Sequence, residues 1–184
     1  MDTIKATTIV CVKKDGKIAI AGDGQATMGQ SVIAKSNCRK VRRIFNGRVV
    51  IGFAGSVADA ITLYELFEQM LNKDGGDLTR AAVDLAKKWR TDKTLRNLEA
   101  TMLATDGSKM YQIDGTGNVM EPDRDCMAIG SGGCYALSAA IAYLDSNVDL
   151  SAEEIARKSV KIASQICVFT NDNIICEVVE SKQE

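Results

Sequence analysis

The 184-residue chain contains no histidine and a single proline, Pro122. Without an imidazole there can be no Ser-His-Asp triad, no Cys-His pair and no zinc or haem held through histidine. A hydrolase built from this sequence must take its base from an amine, a carboxylate or a bound water. An excess of one charge is also missing. The 23 lysines and arginines against 24 aspartates and glutamates leave a net charge of -1, so neither nucleic acid nor a membrane surface is expected as a partner. No run approaches the roughly 20 apolar residues that span a bilayer. Residues 1 to 9, MDTIKATTI, carry no apolar signal region. The six cysteines form no C-x-x-C and no zinc-finger spacing. They read as mostly buried thiols in a reducing cytosol, which makes the expected location cytoplasmic.

What is present reads as one domain with an α+β order of elements. Thr8, Val10 and Val12 alternate with Ile9, Cys11 and Lys13, and Asp15-Gly16 predicts a tight hairpin returning through Lys17 to Ala21. Residues 22 to 30 are glycine-rich and read as a loop. Lys40 to Phe45 and Arg48 to Ala54 predict a second strand pair around Asn46-Gly47. Ser56 with Asp59 is close to a capping box for a helix that Gly75-Gly76 ends, and Asp77 caps the next. In that second helix Leu78, Ala81, Ala82, Leu85, Ala86 and Trp89 share one face. Short strands follow over 100–105, 109–113, 118–120 and 126–129. Gly130-Ser-Gly-Gly133 opens a third helix, and Ser151 with Glu154 caps a fourth that is expected to run to about Cys167. A strand over 174–179 closes the chain. Two sheets face to face, each with a helix pair outside, would bury both helix stripes.

Several residues invite a chemical reading beside a plain one. The glycine turn 130–133 could offer N–H groups to an anion or be only a tight strand-to-helix turn. It is neither a nucleophile elbow nor a P-loop. Lys40-Val-Arg-Arg43 could be a solvated face, or its inward lysine could meet a carboxylate. Asp23 beside glycine is ordinarily turn chemistry. Thr7 gains weight from its setting: MDTIKA precedes it without pattern or obvious core role. If residues 1–6 are a propeptide and are removed, Thr7 carries a hydroxyl and a free α-amine on adjacent carbons. With a reference pKa of about 7.7–8.0, that amine can replace the missing imidazole as base, directly or through water.

The ordered set Thr7-Thr-Ile-Val, Ile20-Ala-Gly-Asp-Gly-Gln-Ala-Thr27, Lys40-Val-Arg-Arg43, Gly52-Phe-Ala-Gly55, Lys88-Trp-Arg-Thr-Asp92, Ala128-Ile-Gly-Ser-Gly-Gly133 and Ile166-Cys-Val-Phe-Thr-Asn171 resembles the HslV (ClpQ) family, bacterial relatives of proteasome β-subunits. The resemblance implies the N-terminal nucleophile hydrolase fold, a four-layer αββα sandwich over residues 7–184. It implies a threonine endopeptidase of an ATP-dependent protease, assembled as two stacked hexameric rings. The partner would be the AAA+ ATPase hexamer HslU (ClpY), which binds the ATP and delivers unfolded proteins. By the same resemblance Thr7 is the nucleophile, Asp23 and Lys40 adjust its protonation, and Ser131 supports the amine and the nucleophilic water. A monovalent cation, commonly sodium, would bind main-chain carbonyls at Ser164, Cys167 and Thr170. The chain departs from the family where Cys134 replaces a common proline and where Thr170-Asn-Asp-Asn173 lacks the usual histidines. The alternatives are a non-catalytic ring subunit of the same fold, a small-molecule amidase and a glycine-loop anion-binding module.

Overall fold

The computed structural model describes residues 4–6, 8–29 and 31–180. The elements in chain order are β1 (Ile4–Ala6), β2 (Ile9–Lys14), β3 (Lys17–Gly22), β4 (Ala26–Met28), β5 (Val32–Lys35), β6 (Val41–Ile44), β7 (Val49–Ser56), α1 (Val57–Lys73), α2 (Leu78–Thr91), β8 (Ala100–Thr105), β9 (Met110–Asp114), β10 (Val119–Met120), β11 (Cys126–Ile129), α3 (Gly133–Asp145), α4 (Ala152–Ser164) and β12 (Ile175–Glu180). They form two antiparallel sheets. One runs β10-β9-β8-β7-β1-β4-β5, with β6 also on β7; the other runs β11-β2-β3-β12.

The period-two alternation of the strands sorts side chains between layers. Ile9 and Cys11 of β2, with Ile18 and Ile20 of β3, meet Val41, Val50 and Leu103 of the other sheet. Val10, Val12, Ala19 and Ala21 point the opposite way, onto Ala136, Ile155 and Val160 of α3 and α4. On the far side, Val49, Ile51, Met102 and Ile113 pack against Leu63, Phe67, Leu85 and Trp89 of α1 and α2. The result is the four-layer αββα sandwich. Both inner strands are buried on two faces because each sheet has a layer on either side.

The Asp15-Gly16 turn is where the sequence places it, with both residues at positive φ. Asp77 caps α2 by accepting from Arg80 N at 3.0 Å. Ser151 and Glu154 close the capping box of α4. Other expectations need correction. Ser56 makes no side-chain cap on α1; Asp59 instead accepts from Glu99 N at 3.1 Å and ties the helix start to the strand beside it. α4 stops at Ser164 rather than near Cys167. The expected loop 22–30 contains β4, and β5 follows it. Residues 4–6, read as patternless, form β1, pairing Ala6 with both Ala26 and Gly55. Strands of three residues are too short to show a period, and their partners are distant in sequence.

All six cysteines are free thiols, with Cys11, Cys126 and Cys167 buried and Cys134 exposed. Burial pushes the thiols of Cys11 and Cys126 up, and that of Cys176 to about 12, so these three remain protonated and unreactive near neutrality.

Candidate active site

β7 is the spine of the site. β6 pairs with its residues 49–52 and β1 with residues 55 and 56. Lys40, just ahead of β6, falls between these two ladders, and its carbonyl accepts from Phe53 N at 3.1 Å. This turns Lys40 away from the solvent-facing Arg42 and Arg43 and into the molecule. Asp23 follows β3, whose hairpin partner β2 begins at Ile9. Asp23 and Lys40 are 1% and 6% exposed, so their ion pair is screened from water.

Lys40 Nζ donates to Asp23 Oδ1 at 2.6 Å. The same oxygen accepts from Thr8 N at 3.0 Å. Asp23 Oδ2 accepts from Gln25 N at 2.9 Å and from Asn171 N at 3.3 Å. The carboxylate therefore meets four donors from four chain segments, as a buried charge requires. Burial draws the Lys40 ammonium below its ordinary 10.5, and Asp23 opposes that shift.

Thr7 lies outside the described residues. Its neighbours bracket it: Ala6 ends β1, and the Thr8 N–H held by Asp23 is the amide of the bond joining residues 7 and 8. Thr8 Oγ1 accepts from Gly132 N at 3.1 Å and lies 2.7 Å from Thr170 Oγ1. A Cβ at Gly132 would come within 2.3 Å of Thr8 Oγ1 and 2.7 Å of Thr170 Oγ1, so only glycine permits this contact.

Ser131 is brought to the same end of the molecule through its neighbour Gly132. It lines a cleft of about 590 Å³ with Gly55, Ser56 and Glu99. Among the described residues Ser131 makes no hydrogen bond to Asp23 or Lys40. The N–H groups of the glycine turn are partly spoken for: Gly132 N donates to Thr8, and Gly133 N donates to Gly130 O at 3.0 Å. The turn thus serves first as a brace on Thr8. A second cleft of about 590 Å³ lies on the other side of Gly55 and Ser56, walled by Lys40, Cys38, Phe53, Ala60, Ile61 and Tyr64. A further cleft, about 750 Å³ beside Arg43, Phe45 and Arg48, contains no site residue.

Ser164 is the last residue of α4, and Cys167 and Thr170 lie on the turns that follow it. Among the described residues the Ser164 and Thr170 carbonyls accept no backbone hydrogen bond, while Cys167 O accepts Thr170 N at 3.1 Å. Carbonyls left without a donor at a helix C-terminus suit a hard cation. No group of three or more His, Cys, Asp or Glu suited to a metal occurs among the described residues, so the available donors here are backbone oxygens.

The sequence reading did not single out Thr8, Gln25, Gly132 or Asn171, and it assigned Thr170 only through its carbonyl. Each acts through a partner more than 120 residues away, as in Gln25 Nε2 donating to Val168 O at 2.9 Å, so no local spacing marks them.

The family model described as "Proteasome subunit" matches residues 3–179. The chain is 54% identical over 175 residues to the ATP-dependent protease subunit HslV of Thermoanaerobacter sp., covering 95% of this chain and 99% of that protein. It is 55% identical over 177 residues to the corresponding subunit of Staphylococcus aureus, covering 96% of this chain and 98% of that one. The crystal structure of HslV from Trypanosoma brucei superposes with a TM-score of 0.90 at 48% identity, covering 95% of this chain and all of that one. Thiobacillus denitrificans BPH, solved in complex with epoxomicin, shares the fold with a TM-score of 0.72 at 23% identity, covering 95% of this chain and 98% of that one.

Proposed function

The chain belongs to the proteasome-subunit family as an HslV-type threonine peptidase subunit, and on that premise we propose that Thr7 is its nucleophile, exposed when residues 1–6 are removed. The observation that carries this reading is the placement of β1. Ile4–Ala6 lies as a strand antiparallel to both β4 and β7, so the chain reaches the Ala6–Thr7 bond in the extended form of a peptide substrate. Self-processing is the reading this favours. Thr7 Oγ attacks the Ala6 carbonyl and passes its proton through water to the departing Thr7 nitrogen, and water then hydrolyses the ester. Once the propeptide leaves, the backbone edges of β4 and β7 accept a substrate strand in its place. Such a slot suits a polypeptide better than a small amide.

In the mature subunit the neutral α-amine of Thr7 takes the hydroxyl proton as Oγ attacks the scissile carbonyl. The proton goes to the leaving amine, and water then releases the acyl group. Lys40, held by Asp23, stabilises negative charge developing on Oγ and disfavours protonation of the nearby amine. Ser131 orders the water between amine and hydroxyl. The Ser164, Cys167 and Thr170 carbonyls would hold a monovalent cation, sodium by the family's habit, which supplies positive charge that steadies this turn. From the turn Thr170 reaches Thr8. The AAA+ partner HslU, unfolded protein substrates, two stacked hexameric rings and a cytoplasmic location belong to the same proposal. None of the described helices is long and apolar enough to cross a membrane.

The pH dependence tests the assigned roles. The acid limb of kcat/KM is expected below the amine reference of about 7.7–8.0, because Lys40 disfavours a second positive charge. The alkaline limb is expected below 10.5, where burial makes Lys40 release its proton early. A kcat/KM profile of the wild-type complex checks both limbs; activity that stays level to 10.5 would remove Lys40 from the mechanism.

A further inference from the structure

Asn171 is absent from the catalytic roles above, yet four hydrogen bonds tie it to the surroundings of Asp23. Its backbone N donates to Asp23 Oδ2 at 3.3 Å. Its side-chain Oδ1 accepts from Gly24 N at 3.0 Å and from Asn173 N at 3.2 Å. Its Nδ2 donates to Ser36 O at 2.8 Å. An amide carries both an acceptor and a donor on one short planar group, and the two backbone N–H groups on one side with a carbonyl on the other fix which way it faces.

Those contacts join two segments that are separate in sequence. Gly24 follows Asp23 directly, and Ser36 opens the stretch that leads to Lys40. The segments also touch without Asn171, since Cys38 N donates to Gly24 O at 2.8 Å. A Cβ at Gly24 would come within 2.5 Å of Ser36 O, so their separation is tightly set. Asn173 donates through Nδ2 to the same Ser36 O at 2.8 Å. Preceding Asn171, Thr170 holds Thr8 through its hydroxyl. The 170–173 segment therefore spans the chain positions that deliver Asp23, Lys40 and residue 8.

We propose that Asn171 is a positioning residue for the peptidase reaction: its amide clamps the Gly24 and Ser36 segments together and so fixes the Asp23–Lys40 pair on which the nucleophile depends. This rests on the reading of Thr7 as nucleophile. It deepens that reading by placing part of the catalytic alignment on a side chain that touches neither substrate nor nucleophile. Small displacements of aligned groups weaken catalysis more than binding.

The test uses the full chain in complex with its ATPase partner, with Thr7 titrated by an epoxyketone probe so that kcat is expressed per reactive site. Asn171→Ala is expected to lower kcat about 10- to 100-fold with KM changed less than about threefold. Asn171→Asp keeps the acceptor for Gly24 N and loses the donor to Ser36 O; it should fall between wild type and Asn171→Ala, and it carries the test if the alanine variant fails to fold. Asp77→Ala, which removes the α2 cap remote from the site, should lower the melting temperature and leave kcat per site unchanged. If both Asn171 variants melt earlier but keep wild-type kcat per titrated site, the residue is merely structural and the proposal is overturned. If the wild-type protein itself is not labelled at Thr7, the nucleophile assignment fails instead, and the two failures are told apart by that one control.

Discussion

Thr7→Ala is expected to reduce peptide hydrolysis by at least about 10⁴-fold, to the background of the assay. The loss is this large because one residue supplies two functions. Alanine removes the atom that forms the acyl bond, and no second threonine or serine in the chain combines a hydroxyl with a terminal amine. Thr8 cannot take over. Its amide is held by Asp23 and its hydroxyl is engaged with Gly132 and Thr170. Thr7→Ser retains hydroxyl and amine on adjacent carbons and should keep measurable activity. The alanine variant should also retain residues 1–6, because the nucleophile that cleaves the Ala6–Thr7 bond is missing. Peptidase assays with the ATPase partner, alongside a mass measurement on the same sample, check both results. A Thr7→Ala protein that remains active would end the assignment, and one that still loses MDTIKA would end self-processing.

Lys40→Met should combine the second-largest catalytic effect with a clear loss of stability. The side chains of Lys40 and Asp23 are 4% and 0% exposed, so removing the cation leaves a carboxylate in a site closed to water. Breaking one half of such a pair costs about 3–5 kcal/mol; the three N–H donors that Asp23 keeps place the expected value at the low end, about 3 kcal/mol. Activity should fall about 10²- to 10³-fold, the range for losing one preorganised electrostatic group. The double variant Asp23→Asn/Lys40→Met separates the two consequences. With both charges gone, stability should return to within about 1–2 kcal/mol of wild type, while activity stays as low as in the single variant. Chemical denaturation of Lys40→Met, Asp23→Asn and the double variant with the wild type, beside kcat/KM, completes the cycle. Recovery of activity in the double variant would show that Lys40 only neutralises Asp23.

Much of the fold could be read from sequence where the signal was local. The alternation of β2 and β3, the Asp15-Gly16 turn, the face Leu78 to Trp89 and the Ser151–Glu154 box all depend on residues within a few positions of one another. β1, β4 and β5 could not be read that way. Ile4–Ala6 is a strand because Ala26 and Gly55 flank it, not because its own three residues prefer that state. The same division holds for the site. Asp23 and Lys40 taken alone were a turn aspartate and a basic cluster; the family resemblance singled them out, and the interruption between β6 and β1 along β7 explains why that lysine alone is buried. Asn171 ends one of the motifs behind the resemblance, but its contacts could not be read from it because its partners, Gly24 and Ser36, are 147 and 135 residues away. The glycine turn at 130–133 was weighed as an anion site, whereas its Gly132 N–H is committed to Thr8.

The central claim is that the working protein begins at Thr7 and that this threonine is the nucleophile. Intact mass spectrometry of the purified, active complex, before and after an epoxyketone probe, tests it most directly. The account predicts a chain lacking residues 1–6 and a single adduct that maps to Thr7 and is absent from Thr7→Ala. Fully active protein that retains MDTIKA, or an adduct on any other residue, would contradict it.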